Sequence, residues 1–142
     1  MQQVKSLSTD SPSKRCRFKK VMLVDDNEIE NFVNKKLIES CQFAASIECC
    51  LSAEEALEIL RNNSLEDLPE IIFLDIKMPG MDGFEFLDAF AHLAEEVHQR
   101  VKIIMLSTSE SFKDLNRANK NRFVFRFLNK PLLQASLEAI LF

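Results

Sequence analysis

At 142 residues, 46% hydrophobic and 28% charged, the chain has room for one domain with a real core and the composition of an ordinary globular protein. The net charge of −4 hides an asymmetry: Lys5, Lys14, Arg15, Arg17, Lys19 and Lys20 stand against Asp10 in residues 1–20, a balance of +5 that leaves −9 on the rest. No apolar run is long enough to span a bilayer and no apolar segment follows the first charge as in a secretory signal, while the four cysteines lack CxxC spacing and the two histidines do not complete a zinc set.

Residues 1–19 read as a flexible basic tail, since the polar stretch to about Arg17 has no hydrophobic period. The run SPSKRCRFKK could also touch nucleic acid or an acidic partner, but its single aromatic and lack of pattern favour a solubilising lead-in. Val21 to Val24 is a short apolar run that predicts a strand, ending in Asp25 and Asp26. Asn27 to Ser40 predicts a helix with Ile29, Phe32, Val33 and Leu37 on its packed face. A strand over Ala45 to Cys50 follows, then a helix capped by Ser52, with Glu55 completing a capping box and Ala53, Ala56, Leu57 and Leu60 facing inward. Cys16, Cys41, Cys49 and Cys50 read as reduced, mostly buried thiols of a cytoplasmic protein.

After a loop from Asn62 to Pro69, Glu70 to Asp75 predicts a strand, and a tight turn holds the chain's two glycines, Gly80 and Gly83. Phe84 to about Val97 predicts a helix with Leu87, Phe90, Ala91 and Ala94 inward and His92 and His98 at the surface. Val101 to Leu106 predicts a strand ending on Ser107, Thr108 and Ser109. Glu110 to Asn121 offers only Phe112, Leu115 and Ala118 to pack, the weakest helical pattern in the chain. Phe123 to Leu128 predicts a strand ending in Asn129, Lys130 and Pro131, and a final helix runs from Pro131 or Leu132 to Phe142 on Leu133, Leu137 and Ile140.

Five strands alternating with five helices predict an α/β, doubly wound, flavodoxin-like fold with a parallel sheet. Right-handed crossovers then place every strand's C-terminal end along one edge. Asp25, Asp26, Asp75, Ser107 and Lys130 all fall at or just beyond that edge. Asp75 taken alone reads equally well as an N-capping acid; the constellation is what argues for chemistry. Gathered carboxylates repel, so they share a proton or bind a cation, and an oxygen-only ligand set suits Mg²⁺. A carboxylate beside Mg²⁺ is a competent nucleophile for phosphorus, with an ammonium group to offset the charge on the phosphoryl oxygens.

VDDN at 24–27, DIKMPGMDG at 75–83, MLSTS at 105–109 and FLNKP at 127–131, in this order and spacing, resemble the motifs of response-regulator receiver domains (CheY-like) over residues 20–142. The resemblance implies the strand order 2-1-3-4-5. It also implies that Asp75 accepts a phosphoryl group from a sensor histidine kinase or a histidine phosphotransfer protein, and that catalysis is confined to this phosphorylation and its reversal. It makes Asp26 a direct Mg²⁺ ligand, Asp25 a ligand largely through water, Asp75 a ligand, and the Lys77 carbonyl a further one. Lys130 would pair with the phosphoryl group, before a Lys-Pro bond that is often cis in the family. Ser107 would supply the switch hydroxyl and Phe127 the aromatic that changes rotamer with it, although Phe123, Phe125 and Phe127 also alternate as one buried face would.

The resemblance further implies output by protein binding: a downstream target, with no nucleic acid and no membrane bound by this chain. The surface expected is the fourth helix, fifth strand and fifth helix, which the family also uses for homodimers. The polar Glu110–Asn121 segment fits both a marginally stable switch element and a merely solvated helix. Thr108 and Lys77 depart from the commonest family choices: the bulk of Thr108 would slow access of phosphodonor or attacking water, and Lys77, a second cation near the site, would alter the lifetime of the acyl phosphate. A receiver-like scaffold that works without phosphorylation is the alternative, against which every key acid, hydroxyl and lysine is present. A haloacid-dehalogenase-type phosphatase would need an acid at the position of Lys77.

Overall fold

Val21–Val24 and Ile71–Leu74 are apolar at every position and buried throughout. Only a strand covered on both faces tolerates that pattern, and the architecture follows from it. The computed structural model describes residues 16–108 and 112–140. In chain order these hold β1 (Phe18–Val24), α1 (Glu28–Ser40), β2 (Ala44–Cys50), α2 (Ala53–Asn62), a 3₁₀ turn (Leu65–Asp67), β3 (Ile71–Asp75), α3 (Gly83–Phe90), α4 (Glu95–Arg100), β4 (Lys102–Ser107), α5 (Phe112–Lys120), β5 (Val124–Asn129) and α6 (Gln134–Glu138). The strands form one all-parallel sheet in the order β2-β1-β3-β4-β5, the predicted fold class.

Side chains alternate across the sheet and build two cores. Met22, Val24, Ile72, Leu74, Ile103 and Met105 pack with Leu57 and Leu60 of α2 and Phe86, Leu87 and Phe90 of α3. Val21, Leu23, Ile71, Phe73, Ile104 and Leu106 pack with Ile38 of α1 and with Leu137 and Ile140 around α6. Among the described residues no helix is long and apolar enough to cross a membrane.

Several expectations are corrected. The described residues hold six α-helices, because the predicted third helix breaks after Phe90 and leaves Ala91 and Ala94 exposed. The predicted fourth and fifth helices are therefore α5 and α6. His98 is not a surface residue: in α4 its ring packs between Phe90 and Phe123, with centroids 5.0 and 4.6 Å away, and Nε2 lies 2.7 Å from the Phe90 carbonyl. In α1 the inward face is Asn31, Asn34 and Ile38, while Ile29, Phe32 and Val33 are 74%, 60% and 57% exposed. Phe112 and Leu133 are exposed as well. Of the cysteines only Cys50 is buried, and Cys49 is exposed.

The Ser52 hydroxyl accepts from the Glu55 amide, but the Glu55 carboxylate accepts from Leu51 N, one residue short of a capping box. The reciprocal box is at Asp82 and Glu85, opening α3. In β5 a register shift opposite Ile103 and Ile104 breaks the alternation, so Phe127 packs on the core while Phe125 is exposed. β1 begins at Phe18, inside the predicted tail. Cys16 and Arg17, also assigned to the tail, are described; residues 1–15, Ser109, Glu110 and Ser111, and Leu141 and Phe142 at the end of the predicted last helix lie outside the described residues.

Candidate functional site

The parallel sheet delivers Asp25 and Asp26 from the end of β1, Asp75 as the last residue of β3, Ser107 as the last of β4, and Lys130 directly after β5. Backbone bonds fix these ends to one another. Asp25 N donates to Cys50 O at 3.1 Å, Ile76 N to Leu106 O at 3.3 Å, and Lys130 N to Ser107 O at 2.9 Å. The buried Asn31 amide donates to Asp25 O and Cys50 O, at 3.0 and 3.2 Å, joining β1 and β2 at their tips. The Lys130–Pro131 bond is cis, as the family resemblance implies is common.

The turn after Asp75 shows why the glycines lie there. Gly80 has φ +74°, the left-handed region that favours glycine. At Gly83 a Cβ would stand 2.9 Å from both the Asp75 carbonyl oxygen and Ile76 Cα, and Gly83 N donates to Ile76 O at 2.8 Å. The start of α3 is thus pressed against the backbone that carries Asp75.

Carboxylate oxygens of Asp25, Asp26 and Asp75 all lie within 4.8 Å of one another, Asp25 and Asp75 buried and Asp26 exposed. Lys130 enters this cluster, its side chain 10% exposed, with Nζ 2.8 Å from Asp25 Oδ2, 2.7 Å from Glu30 Oε1 and 3.2 Å from Asp75 Oδ1. Burial raises the Asp75 pKa to about 6; Lys130 pulls it down, and Asp25 and Asp26 push it up. Burial alone would lower Lys130, but its hydrogen bonds to Asp25 and Glu30 and the charge of Asp75 outweigh that and hold the ammonium above its ordinary range. The donor set is all oxygen, two buried carboxylates and one open to solvent, which fits a small hard cation that keeps part of its water.

Ser107 is buried at the tip of β4, and Phe127 is half-buried against the core below it. Lys77 is exposed and lines a separate cleft with Asp82, Asp114 and Arg117. Beside Lys130, a groove of about 340 Å³ is walled by Ile29, Val33, Thr108, Pro131 and Leu132. Glu30, which the sequence did not single out, is part of the Lys130 cluster; an acid in the first turn of a helix carries no signal beyond the ordinary complement to the helix dipole.

The family described as the response regulator receiver domain matches residues 21–142. The chain is 32% identical, over 79% of its length and 72% of the relative's, to the probable methanogenesis regulatory protein FilR2 of Methanothrix harundinacea. It is 29% identical over 86% of its length to hybrid signal transduction histidine kinase L of Dictyostelium discoideum, of which it spans 7%. Among solved structures, a two-component response regulator from Cytophaga hutchinsonii superposes with a TM-score of 0.78 at 29% identity, covering 84% of this chain and 91% of that one.

Proposed function

Because this chain belongs to the response regulator receiver domain family, we propose that Asp75 takes a phosphoryl group from a phosphohistidine and that the resulting acyl phosphate switches a protein-binding surface. The observation that carries this reading is Lys130, whose ammonium lies 3.2 Å from the buried Asp75 carboxylate inside a cluster of acids. With its pKa raised to about 6 by burial, Asp75 is ionised at neutral pH and is a basic, nucleophilic carboxylate.

An Asp75 oxygen attacks phosphorus; the new O–P bond forms as the N–P bond of the donor histidine breaks, and the electron pair leaves on the imidazole nitrogen. Lys130 offsets charge on the phosphoryl oxygens, and the Ser107 hydroxyl donates to one of them. Asp25, Asp26 and Asp75, with the Lys77 carbonyl, would hold Mg²⁺, which when bound supplies further positive charge to those oxygens. Moving Ser107 toward the phosphoryl group opens space that Phe127 can fill, and this biases α5, β5 and α6 between two arrangements. Exposed Phe112 and Phe125 belong to that surface, which would bind a downstream protein target or a second copy of the chain.

The phosphodonor needs a surface too. Ile29, Phe32 and Val33 form an exposed apolar strip on α1; Ile29 and Val33 also wall the groove beside Lys130, and Phe32 lines a neighbouring cleft with Cys49 and Leu51. This fits docking of a sensor histidine kinase or histidine phosphotransfer protein over Asp75. The test is intact mass after incubation with acetyl phosphate, with and without Mg²⁺, beside Asp75→Asn. One added phosphoryl group, dependent on Mg²⁺ and absent from the variant, is expected. A folded protein that takes neither this donor nor beryllofluoride would instead be a phosphorylation-independent scaffold.

A further inference from the structure

An ammonium group has three N–H donors, and the structure gives Lys130 three carboxylates. The two shorter contacts are to Glu30 and Asp25, at 2.7 and 2.8 Å; the longest, 3.2 Å, is to Asp75. Glu30 differs in kind from the other two. It projects from the first turn of α1 rather than from a strand tip, it lies outside the three-carboxylate cluster, and its side chain is 40% exposed. A carboxylate in that position contributes to the site by where it holds the lysine.

We propose that Glu30 is a positioning residue that holds the Lys130 ammonium on the α1 side of the site, so that a phosphoryl group on Asp75 must win the lysine from it. The proposal rests on the phosphoacceptor reading above. Without phosphate, Lys130 is shared among three acids and Asp75 has the weakest claim. A dianionic phosphoryl group attracts the ammonium more strongly, and Lys130 can follow it only by lengthening or breaking the bond to Glu30. Glu30 therefore opposes the phosphorylated arrangement. Because Glu30 lines the apolar groove with Ile29 and Val33, anything seated there also bears on where Lys130 stands.

Removing the restraint should favour the phosphorylated state. Affinity for beryllofluoride, the stand-in for the acyl phosphate, is measured at saturating Mg²⁺ by amide chemical shifts in the unaltered chain, in Glu30→Gln, and in Glu28→Gln. Glu28 is exposed in the same helical turn and makes the same charge change without touching Lys130. Glu30→Gln is expected to bind about threefold to fivefold more tightly, the size of a partly exposed ion pair, and Glu28→Gln to match the unaltered chain. Equal or weaker binding by Glu30→Gln, or an equal gain in Glu28→Gln, overturns the proposal. Failure of the unaltered chain to bind would instead overturn the phosphoacceptor reading, and this one with it.

A double-mutant cycle with Lys130→Met, read on urea unfolding without Mg²⁺, separates positioning from a structural role for Glu30. Glu30→Gln should shift the midpoint when Lys130 is present and leave it unmoved beside Lys130→Met. A shift of the same size in both backgrounds overturns the proposal.

Discussion

Asp75 is 7% exposed and faces other carboxylates across less than 4.8 Å, so its ionised form is expensive to fold around. Its pKa rises from 3.8 to about 6, with burial the largest cause. A raised carboxyl pKa means the folded state holds its proton longer than the unfolded chain. The associated stability is present below about pH 4 and lost as pH rises through 6. In Mg²⁺-free buffer, Asp75→Asn should therefore be more stable than the unaltered chain at pH 8, by about 1–3 kcal/mol, and equal to it near pH 3.5. Urea denaturation at both pH values checks this. Mg²⁺ should narrow the difference at pH 8, because it stabilises only the chain that can bind it well. The residues carrying this chemistry were legible in sequence because each sits at a strand terminus, where an apolar run stops on a polar side chain. The two glycines were legible because the chain has no others. Glu30 was not, since an acid in a first helical turn is the ordinary complement to the helix dipole.

Among the elements, α1 shows where pattern fails. Ile29, Phe32, Val33 and Leu37 have helical spacing, and a periodic reading turns them inward. Of these only Leu37 packs against the core; the sheet otherwise receives Ile38 with Asn31 and Asn34, and Asn31 is buried because its amide joins the β1 and β2 carbonyls. That bond joins residues up to 19 apart in sequence and leaves no local trace. A similar tertiary cause displaced Phe125: the register shift against β4 is invisible in an alternating Phe-x-Phe-x-Phe run. An apolar strip turned to solvent near the proposed phosphoacceptor is where a phosphodonor protein would place its contact area. Phe32, large and 60% exposed, is its natural anchor. Phe32→Ala should slow phosphotransfer from purified phosphorylated histidine phosphotransfer domains by about tenfold, as loss of an interface anchor does. The rate with acetyl phosphate should stay the same, since that donor needs no docking surface. An equal loss with both donors would place the defect at Asp75 and exclude α1 as the docking face.

For the whole molecule, the topology was legible because period-2 and period-3.6 segments alternate, and parallel sheets allow few ways to connect them. That topology also carried the site, by bringing four strand ends to one edge. The two ends of the fold were less visible. Arg17, assigned to the tail, donates from Nη1 to Leu137 O at 3.0 Å and from Nη2 to Ile140 O at 2.5 Å. Its guanidinium lies over Phe18 and Phe43, 5.3 and 5.2 Å from the ring centroids. The chain just before β1 thus caps the far end of α6, a five-residue helix whose N-terminus has no side-chain cap. So short a helix depends on tertiary contacts rather than propensity. Satisfying the Leu137 carbonyl of its last turn and the Ile140 carbonyl just beyond it with a charged fork is worth about 1–2 kcal/mol. Arg17→Ala should lower unfolding stability by that amount and raise amide exchange over α6 and the following residues, with β3 and its acids unaffected. Arg17→Lys should recover little, because one ammonium cannot reproduce the paired donors that reach two carbonyls. Because α6 and β5 belong to the proposed output surface, Arg17→Ala should also weaken binding of a downstream partner while acetyl phosphate still labels Asp75. Unchanged exchange across 134–140 would show that α6 stands without this cap.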